Sequence, residues 1–245
     1  MNNTVEKVSI LMPAYNEESH IAQNVLETYK TFKELNYDFE IIVINDGSSD
    51  GTLREMEKVT SQYPEIKCKS NLNNYGKGRA LKKGFRYCKG EYIVFLDSDM
   101  DLHPVQIKTF FDIMELDKAD VVIGSKRHPN SVLDYPFERK VISSAYFFLV
   151  KLMFGLPIKD TQTGLKLFKA EVLKNVFHKV LVKKFAFDLE LLVNIHHAGY
   201  KIAEAPVTLD SKRKFGRIGA GSIISMLWDT MAVWYRMYIL KYYDK

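Results

Sequence analysis

From residue 8 to residue 124 the chain alternates short apolar runs with stretches of helical periodicity. The apolar runs fall at 8–12, 40–44, 66–70, 92–96 and 121–124, and the helical patterns at 18–35, 53–63, 78–88 and 105–116. Strands separated by helices return to the sheet by crossover, so the pattern predicts βαβ units and a mostly parallel sheet covered on both faces. Pro104 near a helix start and Gly90 just past a helix end punctuate the pattern. The expected fold class is α/β.

After Gly124 the pattern changes to a loop, an apolar segment at 141–154, a short polar motif, further helices, one strand at 201–207 and a basic, aromatic tail. No Pro/Gly/Ser-rich linker divides the two parts, which predicts one domain over 1–216 with a C-terminal appendage over 217–245. At 245 residues with 47% hydrophobic side chains, the chain can bury a sizeable core. Its 35 basic against 30 acidic residues fit an anionic partner, but +5 is too weak a signal for nucleic acid. Cys68 and Cys88 match neither a metal-binding spacing nor a disulfide scaffold and read as core thiols in a reducing compartment. The first seven residues lack the features of a signal peptide, so a cytoplasmic location is expected, and no run reaches the roughly 18 apolar residues of a membrane span.

The run Glu91-Tyr92-Ile93-Val94-Phe95-Leu96-Asp97-Ser98-Asp99-Met100-Asp101 ends an apolar strand in three carboxylates spaced two apart. In an open α/β sheet, ligands bind at the C-terminal ends of the strands. In extended backbone, residues two apart project to one side, so Asp97, Asp99 and Asp101 can converge on a hard cation such as Mg²⁺ or Mn²⁺, which suggests a phosphorylated substrate. The plain alternative is a solvated acidic turn.

Two more polar loops emerge at the same sheet edge, Pro13-Ala14-Tyr15-Asn16-Glu17 and Asn45-Asp46-Gly47-Ser48-Ser49-Asp50-Gly51-Thr52. Glu17 and Asp46 suit a base or ribose and Tyr15 offers a ring, whereas Asp50 reads as the cap of the next helix. Asn74-Tyr75-Gly76-Lys77-Gly78-Arg79-Ala80 opens a helix, with Lys77 placed for a diphosphate.

Taken in order, P-A-Y-N-E, N-D-G-S-S-D-G-T, Y-G-K-G-R-A, D-S-D, D-T-Q-T-G at 160–164 and F-D-L-E at 187–190 resemble a family 2 glycosyltransferase of the GT-A fold. The resemblance extends from Val8 to about Gly216 and is strongest to the dolichyl-phosphate and polyprenyl-phosphate glucose and mannose synthases. It implies a Rossmann-like sheet and inverting hexose transfer from a nucleotide-sugar, UDP-glucose before GDP-mannose, to a polyprenyl or dolichyl phosphate. Carried over position by position, Pro13, Tyr15, Glu17 and Asp46 match nucleotide-binding positions and Lys77 the Gly-Lys-Gly lysine. Asp97 and Asp99 match the acids that address metal and sugar nucleotide, while Asp101 stands where mannosyl relatives commonly carry Gln. Gly124-Ser125-Lys126-Arg127 stands for the family's Gly-Ser-Arg and leaves Lys126 and Arg127 as alternative phosphate contacts. Arg139, Lys212 and Arg213 fall at or near further basic positions.

A lipid phosphate is already ionised and needs cations to hold it, which Lys126, Arg127, Arg139, Lys212, Arg213 and Arg217 supply. A sugar hydroxyl acceptor would instead need a general base, with Asp188 the first candidate and Glu190 the second. For a lipid phosphate, Asp188 reads as orienting a cationic side chain. A non-catalytic binding module is the remaining reading, and the acidic triad argues against it. The segments 141–154 and 222–243, rich in aromatics and interrupted by charge, fit helices lying on a membrane surface. The alternative is that they cover the sheet or form a homodimer contact. Many relatives carry two C-terminal membrane spans and this chain stops short of them, so peripheral attachment to the cytoplasmic face is expected.

Overall fold

The computed structural model describes residues 7–132, 137–183, 186–209 and 220–244; for 137–143 and 220–223 it describes the backbone alone. Strands β1 (Val8–Ala14), β2 (Phe39–Asn45), β3 (Ile66–Ser70), β4 (Tyr92–Phe95), β5 (Val121–Ser125), β6 (Lys166–Lys169) and β7 (Ile202–Pro206) form one sheet in the order β3-β2-β1-β4-β6-β5-β7. Every pairing is parallel except those of β6, which runs antiparallel to both neighbours. The helices are α1 (Ile21–Glu34), α2 (Thr52–Thr60), α3 (Lys77–Phe85), α4 (Ile107–Leu116), α5 (Phe137–Phe154), α6 (Ala170–Val176), α7 (Phe187–His197) and α8 (Ala220–Trp234).

The continuous apolar strands follow from burial on both faces. Along β2, Ile41 and Val43 enter one core while Ile42 and Ile44 enter the other, because successive side chains alternate across the sheet. One core lies under α1, α2 and α4, where Ile21, Val25 and Phe32 recur at helical spacing on one stripe of α1. The other lies under α3, α5, α6 and α7. Val233 of α8 and Tyr243 beyond it are buried in this second core, so the C-terminal segment packs onto it.

Three expectations are corrected. β6 was read as part of a polar motif, because lysines at both ends of a four-residue run hide its strand character. β4 ends at Phe95, and the acids follow in a turn with Met100 at φ 59° rather than in extended backbone. Cys68 and Cys88 are half-buried, and burial pushes their thiols up to about 11 and about 12, which leaves both unreactive near neutral pH.

Candidate active site

Parallel pairing of β4, β1 and β2 brings their C-terminal ends to one edge of the sheet, and the loops that follow them border a cleft of about 310 Å³. Pro13, Tyr15, Glu17, Asp46, Lys77, Asp97 and Asp99 line it, which gathers in one place most of the residues singled out in the first half of the sequence. Tyr15 is exposed there. A second, smaller hollow of about 60 Å³ is lined by Asp97, Asp99, Asp101, Lys126 and Gln162. The acidic turn therefore forms the wall between two recesses.

That turn is held from several sides. The Ser98 carbonyl accepts from Asn24 Nδ2 of α1 at 2.7 Å, and the Asp101 N–H donates to Asp99 Oδ1 at 3.1 Å. Burial first, then repulsion from Asp97 and Asp101, pushes the Asp99 carboxyl up to about 6. Gly164 leaves room for Asp97, since a Cβ built there would lie 2.5 Å from Asp97 Oδ2. The all-oxygen donor set and its surplus negative charge fit Mg²⁺ or Mn²⁺. Among the described residues, no three acidic, histidine or cysteine side chains are already drawn together as a metal-binding group.

Lys77 opens α3, where the N-terminal backbone N–H groups and the helix dipole already favour an anion. Its ammonium sits 2.6 Å from Asp97 Oδ1 and 3.8 Å from Asp188 Oδ2. Burial works against that charge, but Asp188 and Asp97 outweigh it and hold Lys77 above the ordinary lysine range. Asp188 also pairs with the buried Lys166 at 2.8 Å, and the Lys166 ammonium donates to the Thr163 carbonyl as well. Burial alone would raise the Asp188 pKa; the two ammoniums outweigh it and hold the carboxyl below its ordinary value. Asp188 thus orients lysines, and the local sequence gave no sign of Lys166 beyond a basic residue inside an apolar run.

Asp46 is buried, and both of its oxygens are engaged: Oδ1 accepts from Asn71 Nδ2 at 2.7 Å and the Tyr75 N–H at 3.2 Å, and Oδ2 from the Gly76 N–H at 2.7 Å. It braces the loop that delivers Lys77 while also lining the cleft. The N-cap of α2 is Gly51 rather than Asp50; Asp50, one residue earlier, accepts from the Thr52 N–H at 3.0 Å. Lys126 and Arg127 part ways. Lys126 lines the smaller hollow, its N–H tied to Asp160 Oδ2 at 3.0 Å, whereas the Arg127 guanidinium reaches Ser144 Oγ at 3.2 Å and lies over the Phe147 ring of α5. Glu190, read as a second general base, faces the C-terminal segment and lines neither recess. Arg139 lies in α5 where only backbone is described; Lys212, Arg213 and Arg217 lie outside the described residues.

The fold is GT-A. Solved structures that share it include glucosyl-3-phosphoglycerate synthase from Mycobacterium tuberculosis in complex with Mn²⁺, UDP and phosphoglyceric acid, at TM-score 0.69 and 18% identity over 94% of this chain and 78% of that one. Another is the mannosyltransferase PcManGT from Pyrobaculum calidifontis in complex with GDP-Man and Mn²⁺, at TM-score 0.64 and 17% identity over 97% of this chain and 65% of that one. Residues 9–177 match the model of glycosyl transferase family 2, and the chain belongs to that family. Among curated relatives, dolichyl-phosphate beta-glucosyltransferase ALG5D of Trichomonas vaginalis is 30% identical over 97% of this chain and 76% of its own length. Dolichyl-phosphate beta-glucosyltransferase of Dictyostelium discoideum is 31% identical over 82% of this chain and 65% of its own, and glycosyltransferase AglD of Haloferax volcanii is 31% identical over 93% and 38%. No described helix is long and apolar enough to cross a membrane.

Proposed function

We propose that this chain transfers a hexose, with inversion, from a nucleotide-sugar to a polyprenyl or dolichyl phosphate at the cytoplasmic face of a membrane. UDP-glucose is the favoured donor and GDP-mannose the second. The observation that carries this reading is the acidic turn, Asp97–Asp101, set beside Lys77 at the mouth of a cleft large enough for a nucleotide. The names of the relatives point to the same acceptor class.

Pro13, Tyr15, Glu17 and Asp46 would bind the nucleoside. Asp97, Asp99 and Asp101 would hold Mg²⁺ or Mn²⁺, which, when bound, supplies positive charge to the departing diphosphate. Lys77 adds a fixed cation at the helix start, and Lys126, in the smaller hollow, holds the acceptor phosphate on the other side of the acidic wall. Arg127, Arg139, Lys212 and Arg213 complete the basic surround. The lipid phosphate brings its own nucleophilic oxygen, which fits a site whose candidate base, the buried Asp188, is committed to Lys166 and Lys77. A sugar hydroxyl acceptor would need Asp188 as general base, and a carboxylate held below its ordinary pKa by two ammoniums is a weak one.

In this reading the segment over 217–245, beyond a catalytic domain of 1–216, rests on the membrane surface. Trp228, Met231, Tyr235 and Ile239 are exposed on it, with Phe148 and Leu152 exposed on α5. A homodimer through the same face is the competing occupant. Incubation with radiolabelled UDP-glucose, GDP-mannose and other nucleotide-sugars plus undecaprenyl or dolichyl phosphate should move label into the organic phase. Label appearing only on a soluble glycan would contradict the proposal.

A further inference from the structure

The first turn of α7 carries two buried carboxylates that serve different parts of the molecule. Asp188 faces the lysines of the site. Glu190, fully buried two residues on, faces the C-terminal segment. Its Oε1 accepts from the Tyr243 hydroxyl at 2.5 Å and from an Arg236 guanidinium nitrogen at 2.9 Å, while its Oε2 accepts the backbone N–H groups of Leu181 at 2.7 Å and Val182 at 2.6 Å. Arg236 also donates to the Tyr243 oxygen at 3.1 Å, which closes a small network around one carboxylate.

The backbone that Glu190 grips reaches the catalytic cleft directly. The Lys183 carbonyl accepts the N–H of Gly78 at 2.9 Å, and the Val180 carbonyl accepts from Lys82 Nζ at 2.7 Å, so 180–183 is fastened to α3 at two points, one in its first turn and one in its last. Phe187 completes the contact: a Cβ built on Gly78 would lie 2.3 Å from its ring, so no larger residue fits without moving one element from the other. Lys77, the residue before Gly78, is the one paired with Asp97.

We propose that Glu190 is a positioning residue, through which Arg236 and Tyr243 of the C-terminal segment fix the start of α3 and so the Lys77 ammonium. The inference rests on the reading of Lys77 as a contact of the donor diphosphate. Four donors face Glu190, and two acceptor oxygens are needed to satisfy them. In Glu190→Gln, one end of the amide turns N–H groups toward donors whichever way it is set, so either the C-terminal clasp or the 181–182 clasp opens. Tyr243→Phe removes one donor and keeps the ring in its core position.

The test is the affinity of the full chain for UDP and for UMP by calorimetry, with GDP and GMP substituted if guanine nucleotides bind more tightly. Only the diphosphate reaches Lys77, so the ratio of the two affinities reports how well that ammonium is placed. Lys77→Met should collapse the ratio. Glu190→Gln should lower it by about tenfold and Tyr243→Phe by about threefold, the scale of losing part of a charge-assisted contact, with UMP affinity kept. Thermal melting checks that each variant is folded, and if Glu190→Gln does not fold, Tyr243→Phe and Arg236→Met carry the test. An unchanged ratio in these folded variants, or an equal loss for UDP and UMP, overturns the inference while leaving Lys77 in its role. An unchanged ratio in Lys77→Met overturns the reading of Lys77 itself.

Discussion

The two halves of the sheet handle charge in opposite ways. Around β1, β2 and β4, most charged side chains of the site sit on loops at the strand ends and line an open cleft: Glu17, Lys77, Asp97 and Asp99 all border it, while Glu40 inside β2 and Asp46 just after it are buried exceptions. Around β6 and α7 the charges are carried inside, where Lys166 is 1% exposed and Glu190 0%, and each has a partner from a distant part of the chain. Charge that lines the cleft stays within reach of an arriving ligand, even where, as at Lys77 and Asp97, it is already paired. Charge in the interior must be paired where it stands, and its work is to hold other groups in place.

This contrast can be broken by substitution. Asp99→Asn, on the open side, should lower transfer by a factor on the order of 10³ or more while circular dichroism and melting stay those of the parent, because one of the three acids of the turn is lost and no buried charge is stranded. A folded Asp99→Asn enzyme with parental turnover would remove the acidic turn from the reaction.

Asp188→Asn, on the buried side, should first cost stability, about 3–5 kcal/mol by chemical denaturation, since it leaves Lys166 and Lys77 facing a neutral amide. Any loss of rate should be rescued in part by Asp188→Glu. Unchanged stability with a loss of several orders of magnitude in turnover would instead mark Asp188 as a base acting on the acceptor.

Gly164→Ala joins the two regions, because Gly164 of the β6 loop gives way to Asp97 of the cleft. A methyl 2.5 Å from Asp97 Oδ2 must displace that carboxylate by on the order of 1 Å, which should reduce kcat/KM by about 10- to 100-fold. The melting temperature should fall by only a few degrees, as expected for about 1 kcal/mol. Parental kinetics would show that the fit between Gly164 and Asp97 is slack.

Glu40 offers the smallest effect on transfer, since it lines neither recess. Burial works to raise its pKa, but hydrogen bonds from Lys67 Nζ at 2.6 Å, Ser9 Oγ at 2.8 Å and the Lys89 N–H at 2.6 Å outweigh it and hold the carboxyl below the ordinary glutamate value. A carboxyl depressed in the folded state contributes stability that is fully present above its unfolded pKa and is lost as pH falls through the folded one. The parent should therefore lose stability from about pH 4.5 downward. Glu40→Gln should be less stable at neutral pH by about 1–3 kcal/mol, with a flatter acid limb and transfer within about twofold of the parent.

How much of this was legible in the sequence follows the same division. The βαβ pattern and the cleft residues rest on local periodicity and short motifs, and these placed β1 to β5 and most of the cleft lining. Asp46 was legible as a cleft residue, but not as the brace of the 71–76 loop, since that depends on the Asn71 amide and two backbone N–H groups more than twenty residues away. β6 escaped because two of its four residues are lysines, and Lys166 looks polar in sequence although it is buried in the fold. Glu190 was misread as a candidate base because its four donors come from 181–182 and from the far C-terminus. Extended-strand spacing was the wrong reason for grouping the three acids; they lie in a turn with Met100 in the left-handed region and share the lining of one hollow instead.

The central claim is that the acids after β4, with Lys77, make the nucleoside diphosphate a good leaving group in the company of a divalent cation. The most direct measurement is hexose transfer from the best donor to a polyprenyl phosphate in Mn²⁺ or Mg²⁺ and again in excess chelator, alongside calorimetry of the matching nucleoside diphosphate under both conditions. Transfer should vanish and diphosphate affinity should fall by at least about tenfold in chelator, both returning when the cation is restored. Full turnover and unchanged binding in chelator would contradict the claim.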